Sequence, residues 1–381
     1  MVPRVLVVVG TDVARDSSAG PRRDYSVLAR RLDADIIDLG KIHRSWFARV
    51  VKRLAGNGPA QAWLAFRQRQ DVDVIVTDGE HSGIPLALLL RLARSRVGHV
   101  TIGHRLTSRK KQFFLRVLRA HVRMDRIALH SRHQHEFART KLRIPTRRLA
   151  LLPYQVDAEF WSPMDVPEER LVVSAGLEHR DYTTLLRAAQ GLDARVVIGA
   201  ASNWSRHDFA ASAIPVNVQV GAFDYTDLRD LYSRAAVIVV PLVDVDNQAG
   251  VTTILEAMAM GKPVVVSQSR GQTDVVEDRR GPARGLPRER PVSLASLLAA
   301  ARGLDLEPTG FYVPPGDPDA LRRAVEYLLR NPEERRRLGR AGRRLAEQLF
   351  TVDEFAGRIG DLVAAAAPRD AEATLPRLQY G

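Results

Sequence analysis

The feature that most constrains the fold is the stretch from residue 235 to residue 267, where two short apolar runs flank a helical one. Residues 235–242 (AAVIVVPL) and 263–267 (PVVVS) are rich in β-branched side chains, as buried parallel strands are. Residues 251–260 have helical composition; Gly261 is placed to end the helix, and Pro263 cannot continue it. The stretch therefore predicts a strand, a glycine-containing turn, a helix and a second strand.

The turn before this helix suits a phosphate group. It runs from Gln248 into a helix whose first N–H groups have no partner within the helix and whose dipole favours an anion. Gly250 lets a ligand approach the amides of Gly250, Val251 and Thr252 closely. The carboxylate of Glu256, one to two turns further on, suits two neighbouring hydroxyls such as those of a ribose. A generic strand–helix–strand unit with a surface glutamate has the same spacing and remains an alternative.

The same stretch resembles the donor-site signature of family 4 glycosyltransferases, which have the GT-B fold and usually retain anomeric configuration. That signature is Glu, seven residues, Glu, and then Ala-Met-Ala-x-Gly-x-Pro-Val. Residues 256–264 (EAMAMGKPV) match its second half, and Gln248 stands at the first Glu position. In the family the first acid bonds hydroxyls of the donor sugar and the second bonds the ribose. The resemblance therefore implies donor-binding roles for Gln248, with a neutral amide in place of the acid, and for Glu256.

Length and composition set further limits. The 381 residues are enough for two domains with sizeable cores. No run of about 18 apolar residues occurs, so we expect no transmembrane helix. The first ten residues (MVPRVLVVVG) hold too short an apolar run for a signal peptide and predict a first strand. The absence of cysteine excludes disulfides and thiolate metal sites, which fits a cytoplasmic protein.

The net charge of +13 is concentrated in the first part of the chain. Residues 1–150 hold 30 Lys and Arg against 12 Asp and Glu, and residues 91–150 hold 17 against 2. This asymmetry predicts an anionic partner for the N-terminal half. A genome that uses arginine freely is the alternative, but it explains the type of residue better than the asymmetry.

Apolar strands and helices alternate along the chain, which predicts an α/β fold with two Rossmann-like, doubly wound parallel sheets. The acidic, proline-containing residues 164–170 separate the two halves. We therefore expect an N-terminal acceptor-binding domain at 1–163, a C-terminal nucleotide-sugar-binding domain at 164–350, and a helix with a tail at 351–381. The resemblance to GT-B enzymes implies that the domains face a cleft and that the last helix crosses back to the N-terminal domain. From Pro368 onward we expect disorder.

A cation is expected near the leaving group. Breaking the bond between a sugar and a diphosphate leaves negative charge on the diphosphate, and cations aimed at it lower the barrier. The family supplies an Arg and a Lys from the loop after the second domain's first strand. In this chain Arg180 stands at the Lys position, Leu177 stands at the Arg position, and His179 is a candidate replacement. An exposed Arg180 beside the next helix is the plainer alternative.

His104 follows an apolar strand in the N-terminal half, where strand ends meet a cleft. This resembles the phosphatidylinositol mannosyltransferases of the same family, in which a histidine at that strand end faces the transferred sugar. Because a retaining front-face reaction needs no enzyme nucleophile, we assign His104 to positioning or polarising. We expect Gly10, after the first strand, in the donor site, and His81 and Arg109 on the acceptor side. A histidine that is merely hydrogen-bonded is the alternative.

Residues 109–119 (RKKQFFLRVLR) alternate cations with apolar side chains, so the helix they predict can lie on an anionic membrane, as in lipid-acceptor members of the family. An ordinary helix that packs its Phe residues on the sheet is the alternative. No recognised nucleic-acid module appears, so we expect no nucleic-acid partner. Asp244 and Asp246 could hold Mg²⁺, but the following helix can hold phosphates itself, and we expect neither a metal nor another cofactor.

The sequence thus predicts a retaining glycosyltransferase that moves a hexose from a nucleotide-diphosphate sugar, UDP- or GDP-linked, to an acceptor glycan, lipid or small molecule. Its expected place is the cytoplasm, with the inner face of the membrane as a peripheral site. Two other readings stay open. One is a GT-B epimerase or hydrolase of nucleotide sugars. The other is a non-catalytic GT-B relic that binds a membrane or a partner; Leu177 and Gln248, which depart from the family pattern, favour this alternative.

Overall fold

The computed structural model describes residues 3–15, 20–200, 214–278 and 292–368. The chain divides into two compact units. Of the described residues, the first unit takes 3–15, 23–152 and 353–368, and the second takes 20–22, 153–200, 214–278 and 292–352. The tail expected beyond Pro368 lies outside the described residues.

The first unit is built on a six-stranded sheet in which all neighbouring strands are parallel. Runs of Val, Ile and Leu form its central strands, and nearly all of these side chains are buried because helices cover both faces. The strand order is β2-β1-β3-β4-β5-β6. The strands are β1 (Val5–Val8), β2 (Asp35–Ile37), β3 (Val74–Asp78), β4 (Gly98–Gly103), β5 (Arg126–Leu129) and β6 (Leu149–Leu151).

Seven helices of the first unit connect these strands, and the last helix of the chain joins them. Phe355, Ile359 and Val363 of that last helix recur every four residues and are buried with Val5, Val76 and other side chains of the sheet. The helices are α1 (Asp24–Leu32), α2 (Leu39–His43), α3 (Trp46–Ala55), α4 (Asn57–Arg67), α5 (Glu80–Leu92), α6 (Arg109–Gln112), α7 (Arg132–Thr140) and α14 (Val352–Ala364).

The second unit repeats the plan with a second parallel six-stranded sheet. Its order is β12-β11-β10-β7-β8-β9, so β10, which precedes the most constrained stretch of the sequence, lies in the middle. The strands are β7 (Leu171–Ala175), β8 (Arg195–Gly199), β9 (Val218–Gly221), β10 (Val237–Val240), β11 (Val264–Ser267) and β12 (Gly310–Val313). The helices are α8 (Tyr182–Ala189), α9 (Tyr225–Arg234), α10 (Val251–Ala259), α11 (Leu294–Ala301), α12 (Pro318–Arg330) and α13 (Pro332–Leu349).

Two segments of the first unit depart from regular helix geometry at their ends. Helix α5 begins at Glu80, directly after β3, because Gly79 takes a positive φ of 121° and turns the chain from the strand into the helix. The helix expected at 109–119 is only one turn of α-helix followed by a π-helical turn at Phe113–Val117, and Arg119 is left-handed. Within this segment Leu115 is buried, whereas Phe113 and Val117 are exposed.

The second unit begins at residue 153, ahead of the acidic stretch used to place the boundary in the sequence. The reason is packing: Val156 and Trp161 are buried in the core of the second unit, beside Tyr232. In addition, Asp157 accepts hydrogen bonds from the backbone N–H of Arg22 at 2.8 Å and from its guanidinium. This joins residues 20–22 to the second unit.

Replacing Trp161 should therefore destabilise the second unit. Trp161 is only 1% exposed, so Trp161→Ala leaves a cavity and should lower the free energy of unfolding by about 3–5 kcal/mol, measured by urea denaturation. Trp46, which is 70% exposed, is the matched control, and Trp46→Ala should change it by less than about 0.5 kcal/mol. Equal effects of the two substitutions would contradict the packing.

Candidate functional site

In the second unit, the turns that follow β10 and β11 pack against each other at the carboxyl edge of the sheet. A side chain on Gly271 would meet the backbone of Asn247, and the N–H of Gly271 donates to the carbonyl of Val245 at 2.8 Å. The side-chain amide of Gln272 donates to the carbonyl of Ala249 at 3.0 Å. Residues 245–250 and 268–272 therefore form one fixed wall at the start of α10.

Arg180 lies at this wall, and its side chain is only 7% exposed. Its guanidinium donates to the carbonyls of Ala175 at 2.9 Å and Glu178 at 3.0 Å, and to the hydroxyl of Thr253 at 3.0 Å. A β-carbon on Gly250 would lie 3.2 Å from Nη1 of Arg180, so the cation sits directly beside the first turn of α10. The alternative of an exposed Arg180 is therefore wrong.

The first turn of α10 has the form expected for an anion site. Gly250 is the N-cap with a φ of 77°, and no side chain caps the helix. Within the described residues, no backbone hydrogen bond uses the N–H groups of Val251 or Thr252. Val251 is buried and Thr252 is exposed, so the amides lie at the boundary between core and solvent.

Glu256 lies one turn beyond Thr253 on the same helix and is largely buried. Burial raises the pKa of its carboxyl group to about 7, although the charge of Arg180 and the hydroxyl of Tyr232 oppose that rise. Burial also lowers the pKa of Arg180 from its ordinary value. The carboxyl group is thus close to half-ionised at neutral pH, which is a common property of groups in functional sites.

Several buried polar atoms near the start of α10 have no hydrogen-bond partner among the described residues. Gln248 donates weakly to Asp274 at 3.5 Å, but its amide oxygen has no such partner. The same holds for Oδ1 of Asn247, Oγ of Ser269 and Oε1 of Gln272. Because an unpaired buried polar group costs free energy, this concentration suggests that a polar ligand completes the site. Of these four residues, only Gln248 was predicted from the sequence.

The two other residues of the predicted cation loop behave differently. Leu177 packs partly buried against the apolar core beside β7, so it supplies no cation. His179 has a φ of 56°, and its Nε2 lies 3.6 Å from a carboxylate oxygen of Glu178. Asp244 is paired with Arg270 at 3.0 Å. Among the described residues, no group of three His, Cys, Asp or Glu side chains is arranged to hold a metal ion.

In the first unit, polar residues stand at or directly after the carboxyl ends of three adjacent strands, β3, β4 and β5. Nε2 of His104, after β4, lies 3.2 Å from Oδ1 of Asp78 at the end of β3, and the His104 side chain remains 40% exposed. Burial alone would lower the pKa of His104. The hydrogen bond and the charge of Asp78, together with the charge of Glu80, outweigh this effect, so the pKa of His104 is raised above its ordinary value. Asp78 is conversely held ionised, since His104 lowers its pKa against the effect of burial. His104 is therefore a partly exposed, paired imidazole.

His130, which follows β5, completes this group. Its ring centroid lies 5.1 Å from that of His104, and its Nδ1 lies 2.9 Å from the carbonyl oxygen of Leu152. Burial lowers the pKa of His130 to about 3, with the charge of His104 acting in the same direction. His130 is therefore neutral, and it donates from Nδ1 to Leu152. Asp78 and His130 were not among the residues predicted from the sequence, although each stands at or directly after the end of a buried strand.

The remaining predicted residues of the first unit lie around His81. A β-carbon on Gly10 would lie 3.2 Å from Nε2 of His81, and one on Gly79 would meet the same ring at 2.5 Å. Burial lowers the pKa of His81, although Asp78 opposes the shift. Gly10, predicted for the donor, belongs to the first unit, whereas the other predicted donor residues belong to the second. Arg109 is an exposed residue in the first turn of α6.

Comparison with known proteins places these observations in context. A family model described as "Glycosyl transferases group 1" matches residues 171–331, which include Arg180, Gln248 and Glu256. No curated protein matches the chain. Among the described residues, no helix is long and apolar enough to cross a membrane.

Solved structures of similar fold cover nearly the whole chain. They include a glycosyltransferase from Rickettsia africae ESF-5, with 14% identity and a TM-score of 0.63 over 94% of this chain and 97% of that one. HepE from Anabaena, in complex with UDP and glucose, has 14% identity and a TM-score of 0.64 over 95% and 99%. Sucrose-phosphate synthase from Thermosynechococcus elongatus has 17% identity and a TM-score of 0.66 over 94% and 98%.

At such low identity the structural likeness establishes the fold alone, and it confirms the prediction of two parallel α/β units of the GT-B type. The family match adds the chemistry and confirms the prediction of a transferase. Residues 171–331 therefore match the model of the group 1 glycosyltransferases, and the chain is a glycosyltransferase with the GT-B fold.

Proposed function

We propose that this enzyme is of the retaining, family 4 type and moves a hexose from a nucleotide-diphosphate sugar to an acceptor hydroxyl. The observation that carries the proposal is the placement of the buried Arg180 guanidinium beside the uncapped first turn of α10. A fixed cation and free amides next to each other suit a diphosphate that gains negative charge as it leaves.

The second unit would hold the donor. The amides of Gly250, Val251 and Thr252 would bind the diphosphate, and Glu256 would accept hydrogen bonds from the ribose hydroxyls. The unpartnered amide oxygen of Gln248 would accept one from the sugar. UDP-glucose is the first donor to test, because HepE, which shares the fold, has been solved with UDP and glucose. GDP-linked sugars are the second choice of donor. The proposed reaction requires no metal ion.

The first unit would hold the acceptor near Asp78 and His104. In a front-face reaction the bond between the anomeric carbon and the diphosphate breaks, and the bond to the acceptor oxygen forms on the same side. The acceptor proton then passes to a diphosphate oxygen, so no enzyme nucleophile is needed. His104, whose pKa Asp78 raises, would donate a hydrogen bond and position an oxygen of the sugar or acceptor.

Peripheral attachment to an anionic membrane is part of the proposal. On α3, Trp46, Val50 and Leu54 are all exposed and lie four residues apart, so they form one apolar stripe. Arg49 and Arg53 are exposed on the same helix. The exposed Phe113 and Val117 add a second apolar patch in the same unit. An apolar stripe flanked by cations is the pattern of helices that lie in a membrane interface.

Donor binding tests the proposal first. Because the Glu256 carboxylate must be ionised to accept two hydrogen bonds and its pKa is about 7, the affinity for UDP-glucose should rise about tenfold from pH 6 to pH 8. Glu256→Gln should abolish this pH dependence and weaken binding at pH 8 by about 1–3 kcal/mol, measured by calorimetry. The exposed Glu333→Gln is the control. An affinity for UDP-glucose that changes neither with pH nor with Glu256→Gln would contradict the role assigned to Glu256. A thermal-shift panel of UDP, GDP, ADP and TDP would then identify the base of the donor.

The pairing of Asp78 with His104 gives a second prediction. Asp78→Asn removes the charge that raises the pKa of His104, so this pKa should fall, as followed by the histidine ring resonances in an NMR titration. Asp33→Asn, at an exposed position of the same unit, should leave the pKa of His104 unchanged.

Incubation with UDP-glucose and no acceptor separates transfer from the alternatives: rapid release of UDP or an epimerised sugar would favour a hydrolase or an epimerase.

Membrane attachment is tested by flotation with vesicles that contain anionic lipid. The protein should float at low salt and less at high salt, because salt screens the cations. Arg49→Gln with Arg53→Gln should weaken binding by about 2 kcal/mol, since each cation contributes about 1 kcal/mol. Lys141→Gln with Arg147→Gln removes the same charge from exposed positions elsewhere on the unit. Equal losses in both double variants would contradict a specific role for α3.

A further inference from the structure

A cavity of about 660 Å³ lies in the first unit beside His81. This volume is within the range of about 300–1,000 Å³ that holds small ligands in proteins. Four segments enclose it: the end of α3, the start of α4, helix α5, and residues 110–114. Most of its lining is apolar, with Leu54, Ala55, Pro59, Ile84, Leu88 and Phe114 among the contributing side chains.

The cavity has a polar end and an apolar body. His81, Ile84 and Leu88 all line it and follow one another along one face of α5, so it extends over about two helical turns, or about 10 Å. The polar lining residues Glu80 and His81 stand at the start of α5, where β3 ends at Asp78. The apolar end of the cavity therefore points away from the Asp78–His104 pair, and the polar end lies on the same side as that pair.

Charge around the polar end favours an anion. The carboxylate of Glu80 accepts from Nζ of Lys111 at 3.0 Å and from the backbone N–H of Arg105 at 2.7 Å, so this acid is already neutralised. Lys110 also lines the cavity, and no ion pair to it occurs among the described residues. The two acidic residues of the segment 91–150, Asp125 and Glu136, are each paired with an arginine.

We infer that this cavity binds the hydrocarbon chain of an amphiphilic acceptor, a specificity that rests on the proposed function of the enzyme. The chain lies along α5 between Ile84, Leu88 and Phe114. The anionic headgroup lies toward Lys110, and the hydroxyl that receives the sugar lies toward His104. The exposed side chain of Leu54 belongs both to the cavity lining and to the apolar stripe of α3, so a chain can enter from a membrane without crossing water.

Direct binding of n-alkyl phosphates tests this inference without any knowledge of the natural acceptor. Hexyl, octyl and decyl phosphate are titrated below their micelle concentrations, by calorimetry, into the full chain. The affinity should rise about fourfold for each added methylene, as burial of a CH₂ predicts, until the cavity is filled. Ala55→Trp, which places an indole at an exposed lining position, should lower the affinity for decyl phosphate at least tenfold.

A pair of leucines provides the matched control. Leu54 lines the cavity and is 82% exposed, whereas Leu92 is 84% exposed and does not line it, so neither substitution threatens the fold. Leu54→Gln should weaken binding of decyl phosphate severalfold, and Leu92→Gln should leave it unchanged. Affinity that is independent of chain length, or equal loss in both variants, would overturn the inference.

The same variants separate this inference from the proposed function. Ala55→Trp and Leu54→Gln lie in the first unit and should leave the affinity for UDP-glucose at its wild-type value. UDP-glucose binding without any dependence on alkyl chain length would refute the chain site alone. Chain-length dependence in a protein that binds no nucleotide sugar would refute the proposed donor instead.

Discussion

Parallel strands all end at the same edge of their sheet, and this constraint places every polar group discussed above. The central strands are buried on both faces and consist mainly of Val, Ile, Leu and Ala. The charged and polar side chains of both candidate sites therefore lie at the ends of the strands or in the segments that follow them. In the first unit, adjacency of β3, β4 and β5 brings Asp78, His104 and His130 together. In the second, adjacency of β7, β10 and β11 does the same for Arg180 and the start of α10.

Burial of ionisable side chains at this edge of the second sheet is electrostatically unfavourable. Burial shifts the pKa values of Arg180 and Glu256 toward their neutral forms, and no carboxylate within hydrogen-bonding distance offsets the charge of Arg180 among the described residues. Carbonyl and hydroxyl oxygens hold the guanidinium in place instead, so its charge remains available to a ligand. A diphosphate there would offset the burial of Arg180, and ribose hydroxyls would offset the burial of an ionised Glu256. A donor bound there would therefore restore stability that this burial costs.

The sequence was sufficient where local pattern decides the outcome. Short β-branched runs predicted the parallel strands, and the helical composition of residues 251–260 predicted the helix between β10 and β11. It was insufficient where the outcome depends on which strands become neighbours, because the pairing of Asp78 with His104 joins residues 26 positions apart. The prediction of a single helix at 109–119 was wrong for another reason. Leu115 is buried and Arg119 takes a left-handed conformation, and this tertiary setting overrides the local helical pattern.

The exposed face of α3 shows the same limit and has a consequence for the chemistry. Amphipathic spacing indicates that one face is apolar, but it cannot tell whether that face turns inward; here Ala48 is buried while Trp46 and Leu54 are exposed. Leu54 also lines the cavity along α5, so apolar surface continues from the outside of the unit toward His81. Binding energy from a hydrocarbon chain would thus arise far from the reacting atoms. Because such energy can be used to orient a hydroxyl, the partly exposed His104 need contribute only direction, not affinity.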